Sequence, residues 1–207
     1  MKLHWSPRSP FVRKAMVCAH ELGMAERIEK IYTLVSLRKP NEDMLRVNPL
    51  GRIPALVLDD GSVLYDSAVI CEYLDVTFGP KLFPAQGGAR WDALRRHALA
   101  NGMLETGILW LAERTRAQAQ QSPEMHAACE RKLRSALAAA ELEADRLRGG
   151  APDIGDLTLG VVLGYLDFRY ADLKWREAAP KLAEAYAVLA VRPSFVSTQP
   201  YDESAPR

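Results

Sequence analysis

The amino-acid sequence predicts two domains, an α+β half of order β-α-β-α-β-β-α followed by an all-helical half. Three observations carry this. Residues 1–77 mix short apolar runs with Pro, Gly and Asp, whereas residues 88–192 are rich in Ala, Leu, Glu and Arg with few breakers. Between them, residues 78–88 read Phe-Gly-Pro-Lys-Leu-Phe-Pro-Ala-Gln-Gly-Gly, and two prolines with three glycines are linker composition. Apolar residues come in short strand-like pieces in the first half and at helical spacing in the second. The expected domains are 1–78 and 88–207.

The elements follow in order. Residues 2–5 form a short strand, and 10–22 a helix with Pro10 at its first position, where a missing N–H costs nothing. Phe11, Ala15, Cys18 and Leu22 fall on one face of that helix, with Arg13 and His20 elsewhere, and Gly23 ends it. Residues 28–35, β-branched and aromatic, read as the second strand. Residues 41–47 form a short helix that Asn41 caps. Residues 55–58 and 62–65 flank Asp59-Asp60-Gly61 and read as a β-hairpin. A helix over 67–78 follows, capped by Asp66, with an apolar stripe at Ala68, Ile70, Cys71 and Leu74.

In the second half, one long helix is expected from 90 to about 120 and another over 123–147, stopped by Gly149-Gly150. Asp153 opens a helix whose Leu157, Val161, Val162, Leu163, Tyr165 and Leu166 leave it little polar surface, so it should be buried. A last helix is expected over 178–190, and 197–207, polar with two prolines, reads as a loose tail.

Bulk properties exclude several classes of function. Lys and Arg number 27 against 26 Asp and Glu, so no general nucleic-acid or membrane footprint is expected. No apolar run reaches the length of about 18 residues that a membrane span needs. The start, MKLHWSPRSP, has no apolar core of a signal peptide. Cys18, Cys71 and Cys129 are odd in number and far apart, which argues against a disulfide framework or a zinc site and for buried thiols in a reducing cytoplasm.

Three motifs remain: Ser9-Pro10-Phe11-Val12-Arg13-Lys14; Asn48-Pro49-Leu50-Gly51-Arg52-Ile53-Pro54-Ala55-Leu56, followed by Leu64-Tyr65-Asp66-Ser67; and Pro152-Asp153-Ile154-Gly155-Asp156-Leu157. In this order, ahead of and within a helical half, they resemble the glutathione transferase superfamily, and more closely its small bacterial members with a Ser-Pro-Phe motif. The resemblance implies a thioredoxin-like N-terminal domain, an all-α helical-bundle C-terminal domain and a cytoplasmic homodimer. It implies glutathione as co-substrate, with no metal and no tightly bound cofactor, and a small electrophile as the other partner.

Read alone, Ser9 is a helix cap. The resemblance places the thiol-activating, catalytic residue there, with Ser6 as the fallback on the same loop. The physics allows it. A thiol of pKa about 8.5 must be lowered by about two units, which needs roughly 2.7 kcal/mol. One hydrogen bond to a charged group contributes about 1.5–3 kcal/mol and a helix N-terminus about 0.3–1 kcal/mol more. Arg13, read as a solvated helix residue, would add positive field. Because Ser9 has no sulfur, glutaredoxin-type exchange through this position is excluded.

The resemblance further implies a cis Ile53-Pro54 bond, with the backbone of Ile53 pairing glutathione like an added strand. It places the γ-glutamyl carboxylate at Asp66 and Ser67, where a helix N-terminus offers N–H groups, and makes Arg52 a candidate for the glycyl carboxylate. Asp66 replaces the more usual Glu or Gln. Trp5, Pro7, Met103, Trp110 and Arg169 are candidates for the second-substrate pocket. Asp153 and Asp156 look like a capping box with a folding role. The activity implied is addition of glutathione thiolate to a small electrophile; the alternative is a non-catalytic glutathione-binding carrier or interaction module on the same fold.

Overall fold

The computed structural model describes residues 1–79 and 81–203. By its contacts the chain divides into two compact units, Met1–Ala85 with Pro193–Arg207, and Gln86–Arg192. The segment from Pro193 thus groups with the first unit, whereas the sequence reading carried the helical half to Arg207.

The first unit has the expected order: β1 (Lys2–Trp5), α1 (Pro10–Glu21), β2 (Glu29–Tyr32), α2 (Glu42–Val47), β3 (Ala55–Val57), β4 (Val63–Tyr65) and α3 (Ser67–Phe78). The strands form one sheet in the order β2-β1-β3-β4, with β2 parallel to β1 and the other neighbours antiparallel. The second strand is shorter than the expected 28–35, and just past its end the Thr33 N–H donates to β1 at the Trp5 carbonyl (2.8 Å). The hairpin closes as read: Leu58 N–H donates to the Ser62 carbonyl (2.8 Å), and Gly61 takes the positive φ of 86° that the turn requires.

The single apolar face expected for α1 is corrected. Arg13 and Lys14 are buried along with Val12 and Ala15 to Ala19. The helix is enclosed because it packs on α3 and also on α9 (Pro193–Val196), a short helix that the sequence did not reveal. The Arg13 guanidinium donates to the Phe195 carbonyl (3.4 Å) and lies 5.5 Å from the Phe195 ring centre. On α3, Ile70, Cys71 and Leu74 are fully buried as predicted, and so is Asp75. One Asp75 carboxylate accepts the backbone N–H groups of Lys81 (2.8 Å), Leu82 (2.8 Å) and Phe83 (3.2 Å), which pins the segment after the helix.

The second unit contains α4 (Gly87–Arg114), α5 (Pro123–Leu142), α6 (Ile154–Arg169), α7 (Trp175–Ala178) and α8 (Pro180–Ala190). The first of these stops at Arg114 rather than near 120. The Gln121 amide donates to the carbonyls of Arg114 (3.2 Å) and Arg116 (2.9 Å), and Glu113 accepts the Ser122 N–H (2.6 Å), so side chains satisfy the groups that further helix would have used. Ser122 then caps α5, accepting from Met125 N–H (3.2 Å). α6 is buried over Ile154 to Leu166, as its composition predicts, and the Asp153–Asp156 capping box is formed. Tyr170 stacks on Trp110 at 4.8 Å and donates to the Gly107 carbonyl (2.5 Å). The three cysteines are free and buried.

The expectation of a loose tail from Ser197 is also corrected. The Thr198 hydroxyl donates to the Ser194 carbonyl (2.7 Å), and Glu203 accepts from the Tyr32 hydroxyl (2.6 Å). The part of that expectation that falls on 204–207, like the linker residue Pro80, lies outside the described residues.

Candidate functional site

Sheet register brings three distant segments together. His4 pairs with Ala55, and Ala55 pairs with Tyr65, so one row crosses β1, β3 and β4. Just past this row on β1 comes the turn to Ser9, just before it on β3 comes Ile53-Pro54, and just after it on β4 come Asp66 and Ser67. These three segments therefore leave the sheet at the same end.

Ser9 caps α1 in extended backbone geometry, its Oγ accepting the Val12 N–H at 3.3 Å. A hydroxyl has one proton and two lone pairs. Val12 uses a lone pair, so the proton stays available to an anion outside. Ser9 is half-buried and its hydroxyl sits at the positive end of a twelve-residue helix. Ser6 is buried and serves the turn itself: its carbonyl accepts the Ser9 N–H (3.2 Å) and its Oγ the Arg8 N–H (3.4 Å). Arg13, expected as a solvated helix residue, is instead held in the interior against Phe195.

The Ile53-Pro54 bond is cis, as the resemblance implies. The Ile53 side chain is buried, and its backbone N–H and C=O take no partner from the described residues. The turn before it depends on a residue to which the sequence reading gave no role. Asn48 is buried, its amide N–H donates to the Arg52 carbonyl (2.8 Å), and its Oδ1 accepts the Leu50 N–H (3.0 Å). The signal was present in Asn-Pro-Leu-Gly, since Asn favours such local backbone bonds and Gly51 here has φ 60°. Arg52 itself is exposed.

Asp66 caps α3 from a positive φ of 70°, a conformation uncommon outside glycine, and its Oδ1 accepts the Ala68 N–H at 2.8 Å. Ser67 follows at the first helical position and is buried. Together they offer a hydroxyl and first-turn N–H groups at a second helix N-terminus, the arrangement that suits a carboxylate.

The five second-substrate candidates divide between the units. In the first, Trp5 ends β1 half-buried, with the Lys30 ammonium 5.8 Å from its ring centre, and Pro7 is buried in the turn. In the second, Met103 and Trp110 are buried on α4; the Trp110 indole N–H donates to His126 Nδ1 at 2.9 Å. Arg169 ends α6, its guanidinium 3.8 Å from the Phe168 ring centre. Burial pushes the nearby Tyr165 hydroxyl up to about 12. Among the described residues, no helix is long and apolar enough to cross a membrane, and no group of three or more His, Cys, Asp or Glu could hold a metal ion.

Comparison with known proteins agrees with this fold. Residues 8–77 match the glutathione S-transferase N-terminal domain, and residues 110–187 the glutathione S-transferase C-terminal domain. A glutathione transferase family member from Pseudomonas fluorescens Pf-5, whose crystal structure contains bound glutathione, is 40% identical, with a TM-score of 0.94 over 97% of this chain and 99% of that one. A glutathione S-transferase from Methylobacillus flagellatus KT, crystallised with glutathione, is 34% identical, with a TM-score of 0.85 over 97% of this chain and 99% of the other. The uncharacterized GST-like protein YibF of Escherichia coli (strain K12) is 29% identical over 97% of this chain and 98% of its own.

Proposed function

The chain belongs to the glutathione S-transferase family, and from that membership we propose that it is a serine-type glutathione transferase. Glutathione docks at the sheet end described above. The Ile53 backbone pairs with its cysteinyl unit, Ser67 and the start of α3 take the γ-glutamyl carboxylate, and Arg52 faces the glycyl carboxylate. The Ser9 hydroxyl donates to the sulfur. The thiol proton leaves to solvent, because anion stabilisation alone is sufficient and no base is needed. The thiolate lone pair then forms a C–S bond to an electrophilic carbon. The displaced pair leaves with a leaving group or is protonated by water.

The observation that carries this reading is the register row His4–Ala55–Tyr65, which gathers a hydroxyl, a free backbone pair and a second helix N-terminus at one edge. Of the second-substrate candidates, Trp5 stands within the first unit at the turn to Ser9, where it can meet the electrophile. The working form is a cytoplasmic homodimer, in keeping with large apolar residues left exposed on α4, Trp91 (70%) and Leu109 (51%).

The test is calorimetric titration with glutathione, followed by conjugation assays with an aryl halide, an epoxide and an enone. Expected are binding that Ser67→Ala weakens, turnover of at least one electrophile, and a dimeric mass on sedimentation. Absence of glutathione binding would refute the reading. Binding with no turnover, indifferent to Ser9→Ala, would identify a carrier instead.

A further inference from the structure

We propose that Glu203 is a positioning residue for Ser9, clamping the turn that carries it to the end of β2. The inference rests on the reading of Ser9 given above. The chain leaves the first unit at Ala85 and re-enters it at Pro193. It is then held along α1: the Ser194 hydroxyl donates to Glu21 (2.5 Å), and Arg13 reaches the Phe195 carbonyl (3.4 Å). With α9 fixed, the following residues bring Glu203 to the sheet edge. There a single carboxylate oxygen, Oε2, accepts from the Tyr32 hydroxyl at 2.6 Å and lies 3.5 Å from Arg8 Nη2.

One partner, Arg8, belongs to the Ser9 turn and the other, Tyr32, to the strand beside it. Tyr32 ends β2 and stands opposite Trp5, the last residue before the turn. Arg8 is the residue next to Ser9, and its own N–H is tied to Ser6 Oγ. The turn therefore has one internal brace, Ser6, and one external brace, Glu203. A carboxylate that merely neutralised Arg8 would need no second bond. The shared oxygen couples the position of Arg8 to the sheet, and the adjoining Ser9 hydroxyl must lie within hydrogen-bond reach of a sulfur. A misplacement of about 1 Å in such a group costs up to about 10²-fold in rate.

The sign of one measurement separates positioning from charge. Removing the Glu203 charge and releasing Arg8 favours a nearby anion, so simple electrostatics would lower the thiol pKa of bound glutathione. Loss of Ser9 alignment would raise it. The experiment follows thiolate absorbance of glutathione bound to the full chain against pH, in the parent, Glu203→Ala, Glu203→Gln, Tyr32→Phe and Ser9→Ala. Glu203→Ala is expected to raise the thiol pKa by about half a unit, a roughly three-fold loss of thiolate. Glu203→Gln keeps an acceptor for Tyr32 and is expected to rise less or to fall. Tyr32→Phe, which changes no charge and leaves the ring, is expected to rise. A fall or no change in both Glu203→Ala and Tyr32→Phe, with Ser9→Ala raised, overturns the role of Glu203 alone. No change in Ser9→Ala overturns the reading of the site and this inference with it.

Discussion

Replacing Ser9 by Ala removes one hydroxyl proton from the anion and leaves the end of α1 in place. The hydrogen bond to a charged acceptor is worth about 1.5–3 kcal/mol, so the thiol of bound glutathione should rise by about 1–2 units. The field of the helix N-terminus remains, so the shift stops there. Rate falls less than thiolate does, because a more basic thiolate is a better nucleophile, with a Brønsted slope of about 0.4–0.5. Below the parent's thiol pKa the two effects combine to a loss in kcat/KM of about 3- to 15-fold. Above the variant's pKa both proteins hold thiolate, and the variant should equal or exceed the parent. Ser9 also caps Val12 at 3.3 Å, and losing a cap costs about 1 kcal/mol of stability, so thermal unfolding is followed in parallel. Ser9→Thr keeps both the hydroxyl and the cap and should restore the profile. The assay is the pH dependence of kcat/KM for conjugation. A uniform loss at every pH, with the inflection unmoved, would refute the reasoning, since it would mean that Ser9 does not act on thiol ionisation.

Two further predictions concern the frame. Asp75→Ala strands the N–H groups of Leu82 and Phe83, both buried, while that of the exposed Lys81 regains water. Two unsatisfied buried donors cost about 2–6 kcal/mol together, read as a lower midpoint in urea unfolding; a change below about 0.5 kcal/mol would show that the carboxylate does not hold this segment. Asp153→Ala removes the cap of α6, which accepts from Gly155 (2.8 Å) and Asp156 (3.2 Å), and an ion-pair partner of the mostly buried Arg96 (2.5 Å). The loss should reach about 2–4 kcal/mol in the same assay; Asp153→Ser, which restores only the cap, should recover about 1 kcal/mol, and equal losses in both variants would contradict the division.

What could be read from the residue order is what depends on neighbours three or four positions away. The caps Ser9, Asn41, Asp66 and Asp153 were legible because each accepts from an N–H two or three residues on. The hairpin at Asp59-Asp60-Gly61 and the burial of Ile70, Cys71 and Leu74 were legible for the same reason, since turn chemistry and apolar spacing are local. The motifs at residues 9–14, 48–67 and 152–157 together pointed to the family, and the resemblance in turn supplied the expectation of a shared ligand.

Tertiary structure decided whatever depends on partners far along the chain. The α4 helix ends at Arg114 because Gln121 and Ser122 turn back on it, and α8 begins at Pro180 because Glu141 of α5 accepts the N–H groups of Lys181 (3.0 Å) and Leu182 (2.8 Å). Arg13 lies in the interior only because Phe195 returns from 182 positions away, and the same return orders residues that composition alone assigns to a loose tail. Most of all, the alignment of His4, Ala55 and Tyr65 in one row is a property of strand register, which no local pattern encodes. Propensity and capping energies act within a turn of helix, so sequence alone determined most elements and the motifs, but not the short α9 or the end of α4. Register and long-range packing act between elements, so only the folded chain determined that Ser9, Ile53-Pro54 and Asp66-Ser67 share one end of the sheet.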